Sequence, residues 1–148
     1  MFIESLSLFI LLLLSGFFSG LETAYTSLNY IEIKRLKEKY KQAVLLEELK
    51  DKSHKLITTI LICNNLVNIT ASALVTYFTI TAFGSSAIVI ATGILTLIIL
   101  IFGEVTPKKV ALDHHEFICL HTAKILDIII TIFTPLVWIL DKASYFLS

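Results

Sequence analysis

The chain has 148 residues, of which 56 % are hydrophobic and 16 % charged, and its mean hydropathy is +0.85. A soluble domain carries roughly 45–50 % apolar and about 25 % charged residues, so a soluble fold is excluded in favour of one compact integral membrane unit. Lys+Arg and Asp+Glu both number 12, a balance with no electrostatic footprint for nucleic acid. Two cysteines, Cys63 and Cys119, make neither a disulfide framework nor a zinc site.

Residues 5–21 contain no charge. A cleaved signal would open on a basic stretch and end on a small-residue cleavage site. The only early charge is Glu4, so the segment reads as a retained first span over about 5–29. Residues 30–55 change character and hold 8 of the 12 basic residues. Ile33, Leu36, Tyr40, Ala43 and Val44 recur there at helical spacing. Asn29, with Glu32 three residues on, is a candidate N-cap. The spacing predicts a juxtamembrane amphipathic helix over about 30–52, lying on the bilayer surface.

Residues 56–83 are 28 in number, uncharged, and long enough for a tilted span. After the Gly84-Ser85-Ser86 turn, a third span runs over about 84–107, its uncharged part ending at Glu104. Lys108 and Lys109 follow. Basic residues near span ends favour the cytoplasmic side. The 30–55 segment and the 108–109 cluster are two spans apart, so they share that side. The N-terminus is then outside and the C-terminus cytoplasmic, in a multi-pass cell-membrane protein.

Between Asp127 and Asp141 lie only 13 uncharged residues, with Pro135 among them. A full span needs roughly 17–25. Lys124, Asp127, Thr131, Thr134 and Asp141 form a polar stripe. Two short helices over about 117–147, bent at Pro135 and re-entrant or interfacial, are therefore preferred to a fourth crossing. The fold expected is all-α: three transmembrane helices, a re-entrant or interfacial helix pair and the juxtamembrane helix.

Each span carries polar residues at steps of three and four, which share one helix face. The first has Ser15, Ser19, Glu22 and Thr26. The second has Thr58, Asn65, Asn68, Ser72 and Thr76, with Asn64 close by. In the third, Thr92 and Thr96 lead to Gly103 and Glu104. Such faces belong inside the bundle. Pro107 cannot bond the carbonyl four residues back, which is that of Gly103. Ser15-Gly16 and Ser19-Gly20 are a comparable weakness in the first span. Freed carbonyls at membrane depth line cavities or bind ions. Carboxylate, amide, hydroxyl and carbonyl oxygens suit Mg²⁺, Ca²⁺ or Na⁺ rather than soft metals.

The plainer readings stand beside these. Ser, Thr and Asn in spans often serve as interhelical glue, worth about 0.6 kcal/mol. That reading is preferred for Ser15, Ser72 and the threonines. Gly16-x-x-x-Gly20 is also a helix-packing motif. Glu104 is functional by default as an acid at a span. For Glu22 a functional role and a plain one, as an interfacial residue or the partner of a juxtamembrane lysine, are equally open. His114 and His115 read as surface residues of a cytoplasmic loop, and both cysteines as packed thiols. No nucleophile–base pair or cofactor motif points to an enzyme.

Three motifs give the chain a family resemblance. Residues Phe17-Phe18-Ser19-Gly20-Leu21-Glu22-Thr23-Ala24-Tyr25-Thr26-Ser27-Leu28-Asn29 resemble the signature of the CorC/cyclin M transmembrane domain. Asn64-Asn65-Leu66-Val67-Asn68 is similar to its second-span motif. Gly103-Glu104-Val105-Thr106-Pro107-Lys108 is similar to its Gly-Glu-x-x-Pro-Lys motif. The resemblance implies a homodimeric Mg²⁺ transporter that exports Mg²⁺ against Na⁺ entry. It implies a central Mg²⁺ site lined by Ser19, Asn68, Glu104 and the Gly103 carbonyl. Asn64 or Asn65 could replace or support Asn68, and Glu22, Gly20 and Pro107 are possible supports. Family members usually continue into a cytoplasmic CBS-domain pair that binds ATP. This chain stops at Ser148, so an excised domain or a short member is expected. Cys63 stands where the family often has glycine. The alternatives to transport are a Mg²⁺-binding membrane sensor and a structural anchor for the CBS domain.

Overall fold

The computed structural model describes residues 2–147. Its elements, in chain order, are α1 (Phe2–Ser27), α2 (Tyr30–Lys39), α3 (Ala43–Asp51) and α4 (Ser53–Phe83). A short 3₁₀ turn (Ser85–Ala87), α5 (Ile88–Ile98), a π-helical segment (Ile99–Val105) and α6 (Thr106–Leu147) complete the chain. No strand occurs among the described residues. Three helical stretches are long and apolar enough to cross a membrane: Ile3–Ser27, Ser53–Phe83 and the run that begins at Ser85. The all-α membrane fold read from composition is the fold observed.

The first two spans run antiparallel. Glu4, Ser5 and Leu8 of α1 share a cavity with Val75, Phe78 and Thr79 of α4, and Ser15 bonds Asn68. Gly84 turns the chain into the third span with φ 81°, a backbone conformation that glycine adopts without strain. Large apolar side chains such as Phe9, Leu13, Ile69, Tyr77, Ile94 and Leu97 point outward. That is the arrangement expected where the surrounding solvent is lipid.

The fully buried core gathers at the other end of the bundle, where α1 ends and α4 begins. Leu21, Ala24, Tyr25 and Leu28 of α1 belong to the same core cluster as Ile33, Leu46, Leu49, Leu56, Ile60, Cys119 and Leu126. Asn29 caps α2 as its spacing predicts. Its Oδ1 accepts from the Glu32 N–H at 2.9 Å, and Glu32 Oε2 accepts from the Asn29 N–H at 3.0 Å. Burial alone would raise the Glu32 carboxyl. The bonds from the Asn29 N–H and from His115 outweigh it and hold the group below its usual range.

The juxtamembrane region is two helices, not the single one expected over 30–52. Tyr40 is extended (φ −133°, ψ 121°), and its N–H closes α2 on the Leu36 carbonyl at 2.8 Å. The buried face is Ile33, Leu36, Ala43, Leu46 and Leu49. Tyr40 and Val44, which shared the helical pattern, are exposed because the break takes them off that face.

The long α6 bends at His114 (φ −127°, ψ 24°), while the backbone angles at Pro135, where the bend was expected, stay helical. The helix continues through Pro135 as one element, so the predicted pair is a single helix after the break. At the break, the ring Nδ1 of His114 lies 3.2 Å from the Val110 carbonyl. That of His115 lies 3.0 Å from the Leu112 carbonyl. A carbonyl only accepts, so both Nδ1 atoms carry the proton. Beyond the break, α6 meets Tyr25 near the end of α1 and, at Asp141, His54 at the start of α4. A helix touching both lies across that end of the bundle. One threaded back through the membrane would carry Asp141 to the far side.

Tyr25 fastens this layer. Its hydroxyl donates to the Cys119 carbonyl at 3.0 Å and lies 3.1 Å from Thr122 Oγ1. Lys50 donates to the Tyr25 carbonyl at 3.2 Å, placing a cation at the C-terminal turn of α1. Tyr25→Phe is expected to cost about 1 kcal/mol, the worth of one intramolecular hydrogen bond. Thermal unfolding of the detergent-solubilised variant checks this, and an unchanged midpoint would refute it.

Candidate cation site

The site lies where α1, α4 and the π segment meet. Ser15 Oγ donates to Asn68 Oδ1 at 2.7 Å. A Cβ on Gly103 would stand 2.8 Å from Ser15 Oγ, so only glycine leaves the hydroxyl its place. One turn along each helix, in the same antiparallel register, come Ser19 and Asn64. Ser19 is fully buried, and neither Ser19 Oγ nor Asn64 Oδ1 has a hydrogen-bond partner. Unpaired buried oxygens cost about 1–3 kcal/mol each and call for an explanation, such as an ion. A cavity of about 190 Å³ opens on Ser15 and Asn68 from the apolar side, lined by Leu12, Ala71, Leu95 and Ile99 among others.

The π segment follows from Pro107. The Thr106 N–H bonds the Ile101 carbonyl, five residues back. The next bond of that series would run from Pro107 to Phe102, and proline has no N–H. The Phe102 carbonyl thereby loses its donor, beside the Gly103 carbonyl that α-helical spacing singles out. It faces α1, 3.3 Å from where a Gly16 Cβ would lie. The expected openings at Ser15-Gly16 and Ser19-Gly20 are not found, since α1 is one helix throughout. Its glycines serve close packing. A Cβ on Gly16 would meet Pro107 Cγ at 3.1 Å, and one on Gly20 would meet the Pro107 carbonyl at 3.6 Å. Proline widens one helix and glycine clears the other to receive it.

Glu104 lies beside this cluster. Its carboxylate is half-exposed and pairs with Lys108 at 3.3 Å. Lys108 also reaches Glu22 on α1 at 3.6 Å. Of the residues singled out in the sequence, Ser19, Asn64, Asn68, Gly103, Gly20 and Pro107 converge on one seam. Glu22 and Glu104 share a lysine at its edge, and Asn65 is exposed and turned away. Ser15, read as glue, is the direct partner of Asn68. Its four-residue step from Ser19 was the available signal.

Antiparallel spans with buried oxygen donors, beside a π-widened helix and a half-exposed carboxylate–lysine edge, define a polytopic α-helical membrane domain with a hard-ligand seam. The chain belongs to the cyclin M family: residues 6–148 match the cyclin M transmembrane N-terminal domain. It is 43 % identical over 135 residues to a UPF0053 protein of Haemophilus influenzae, covering 90 % of this chain and 32 % of that one. It is 37 % identical over 132 residues to a UPF0053 inner membrane protein of Escherichia coli, covering 88 % and 31 %. A chloroplastic DUF21 domain-containing protein of Arabidopsis thaliana is 39 % identical over 113 residues, covering 76 % and 17 %. The chain thus spans about a third or less of the length of these relatives.

Gly103→Ala is expected to drive Ser15 Oγ off Asn68 and to destabilise by about 1–3 kcal/mol, as overpacking does. Gly93→Ala, where nothing lies within 4 Å of the added Cβ, should be neutral or slightly stabilising. Thermal unfolding of both variants side by side tests the pair. Equal midpoints would mean that the Gly103 approach is not needed.

Proposed function

We propose that this domain moves Mg²⁺ across the membrane, exporting it against Na⁺ entry, through the seam of Ser15, Ser19, Asn64, Asn68, Gly103 and Glu104. The observation that carries the reading is the pair of buried, unpartnered oxygens, Ser19 Oγ and Asn64 Oδ1. They stand beside amide, hydroxyl and backbone oxygens in a segment that π geometry has opened. Mg²⁺ requires near-octahedral oxygens at about 2.1 Å and gives up water reluctantly. A preformed row of hard donors offsets that loss. Membership of the cyclin M family supports the same reading.

Asn68 Oδ1 is taken by Ser15, and Glu104 is paired with Lys108, which Glu22 shares. Mg²⁺ entering the seam draws the Glu104 carboxylate from Lys108, and the ammonium stays with Glu22. Lys108 is then the built-in counter-cation of Glu104 whenever no ion is held. It spares a carboxylate at the membrane from standing unpaired, which is costly. A homodimer is part of the proposal. The groove on α4 formed by Ser72, Ala73 and Thr76 supports it, being the small-residue surface that membrane helices use to approach one another. The longer relatives support a cytoplasmic module after this domain, for which a CBS-domain pair is proposed. That length also supports the second reading, in which this domain only anchors the module.

The test is Mg²⁺ titration calorimetry on the purified chain, with choline chloride matching ionic strength, followed by flux in proteoliposomes under a Na⁺ gradient. Glu104→Gln should abolish saturable Mg²⁺ binding. Lys108→Gln should tighten it by up to about fivefold, since a half-exposed ion pair is worth at most about 1 kcal/mol. Equal binding by wild type and Glu104→Gln would reduce Glu104 to an interfacial cap and favour the anchor. Binding without Na⁺-dependent flux would favour a sensor.

A further inference from the structure

A second cluster of ligand-bearing side chains lies outside the seam, where the start of α2 meets the break in α6. Glu32, His115 and Glu116 each present one donor atom there, all within 4.8 Å of one another. His115 is no surface residue of a loop, as its sequence setting suggested: its side chain is 21 % exposed and Glu32 is 22 % exposed.

The tautomer makes this cluster unusual. His115 Nδ1 faces the Leu112 carbonyl at 3.0 Å and must donate to it. In the neutral ring, Nε2 is then a bare lone pair. It points at Glu32 Oε1, a second acceptor, at 3.2 Å. Two acceptors at that distance need a positive charge between or beside them, either a proton on Nε2 or a metal ion.

The other contacts are those of oriented ligands. Metal-binding imidazoles commonly donate their second N–H to a backbone carbonyl, as His115 does to Leu112. Glu32 is steadied through Oε2 by the Asn29 N–H, leaving Oε1 for a metal. Glu116 is steadied through Oε1 by Arg35, leaving Oε2. With Nε2 protonated, His115 and Arg35 balance the two carboxylates, so a metal ion would take the place of that one proton.

We propose that Glu32, His115 and Glu116 form a three-ligand site for a borderline divalent transition ion such as Zn²⁺, Mn²⁺ or Co²⁺. Imidazole is a poor ligand for Mg²⁺ and a good one for these ions. The site is thus chemically distinct from the all-oxygen seam and does not depend on its reading. A bound ion would fasten the capped start of α2 to the bend that follows the third span. That joint separates the Gly103–Pro107 segment from the helix laid across the bundle end. The site would therefore set how freely the joint moves.

The experiment is titration of the full chain in detergent with Zn²⁺ by calorimetry, in excess Mg²⁺, with Co²⁺ substitution followed by its d–d absorption. One saturable equivalent per chain is expected, with visible bands of a nitrogen–oxygen Co²⁺ centre. His115→Ala should weaken binding by about tenfold or more, while His54→Ala and His121→Ala, at separate exposed histidines, should leave it unchanged. Glu116→Gln is the second variant. It keeps the His115–Leu112 bond at the break, so its effect does not hinge on whether His115→Ala folds. Weakening in Glu116→Gln with unchanged helical circular dichroism supports the site. No saturable Zn²⁺ binding by wild type, or undiminished binding by Glu116→Gln, would overturn it.

Discussion

Pro107 has no N–H to donate, and the third membrane helix is arranged around that lack. In lipid a stranded carbonyl finds no water, so the backbone must absorb the defect within protein. Here the helix widens to i−5 bonding just before the proline, and the ring itself seats against Gly16 and Gly20 of α1. The widening leaves the Phe102 carbonyl without its donor and brings Gly103 against Ser15. The polar seam, the close approach of the first and third spans, and the position of Glu104 all follow from one imino acid.

The seam holds two kinds of polar atom. Ser15 and Asn68 satisfy each other, as interhelical glue does. Ser19 Oγ and Asn64 Oδ1 do not. In a bundle tuned only for cohesion, a turn of unpaired buried oxygens next to a satisfied pair is a needless loss. In a bundle that takes up and releases a hard cation it is a requirement, because donors already bonded to one another hold an ion less well. The same logic applies at the edge. Lys108 lies between Glu22 and Glu104, so this edge sets two carboxylates against one ammonium and keeps a negative charge for a cation.

The spans were legible because uncharged length and helical period are strong signals, and the N-cap at Asn29 was legible from its residue types. The seam was legible because steps of three and four share a face: Ser19, Asn64, Asn68 and Gly103 do converge. What the sequence did not carry was register and direction. Pro107 implied a free carbonyl at Gly103, but the π segment before it, which brings in the Phe102 carbonyl as well, has no signal in the residue types. Pro135 implied two helices, but its backbone angles stay helical and α6 runs on through it as one element. The bend went to His114, where two neighbouring imidazoles could take up the freed carbonyls. The break at Tyr40 has no glycine or proline to announce it. Ser15 looked like glue because its significance depends on Gly103, a residue 88 positions away.

The seam and the basic end of the domain are closer in the chain than their chemistry suggests. Pro107 packs on α1, Lys108 reaches both carboxylates, Ala111 lies near Gly20, and the backbone breaks at His114. Only two turns separate the π segment from the joint. A π segment holds one residue more than the α-helix it interrupts, so a return to α bonding would turn all that follows by about 100° and shift it by about 1.5 Å. That rotation would swing Lys108 away from Glu22 and pull His115 from the α2 cap. A break at His114 confines such a turn to the 106–113 segment and spares the long helix beyond it. Tyr25 and the α2 cap hold that helix in place. A continuous helix there would pass any such turn on to the layer across the bundle end; a break at His114 would not.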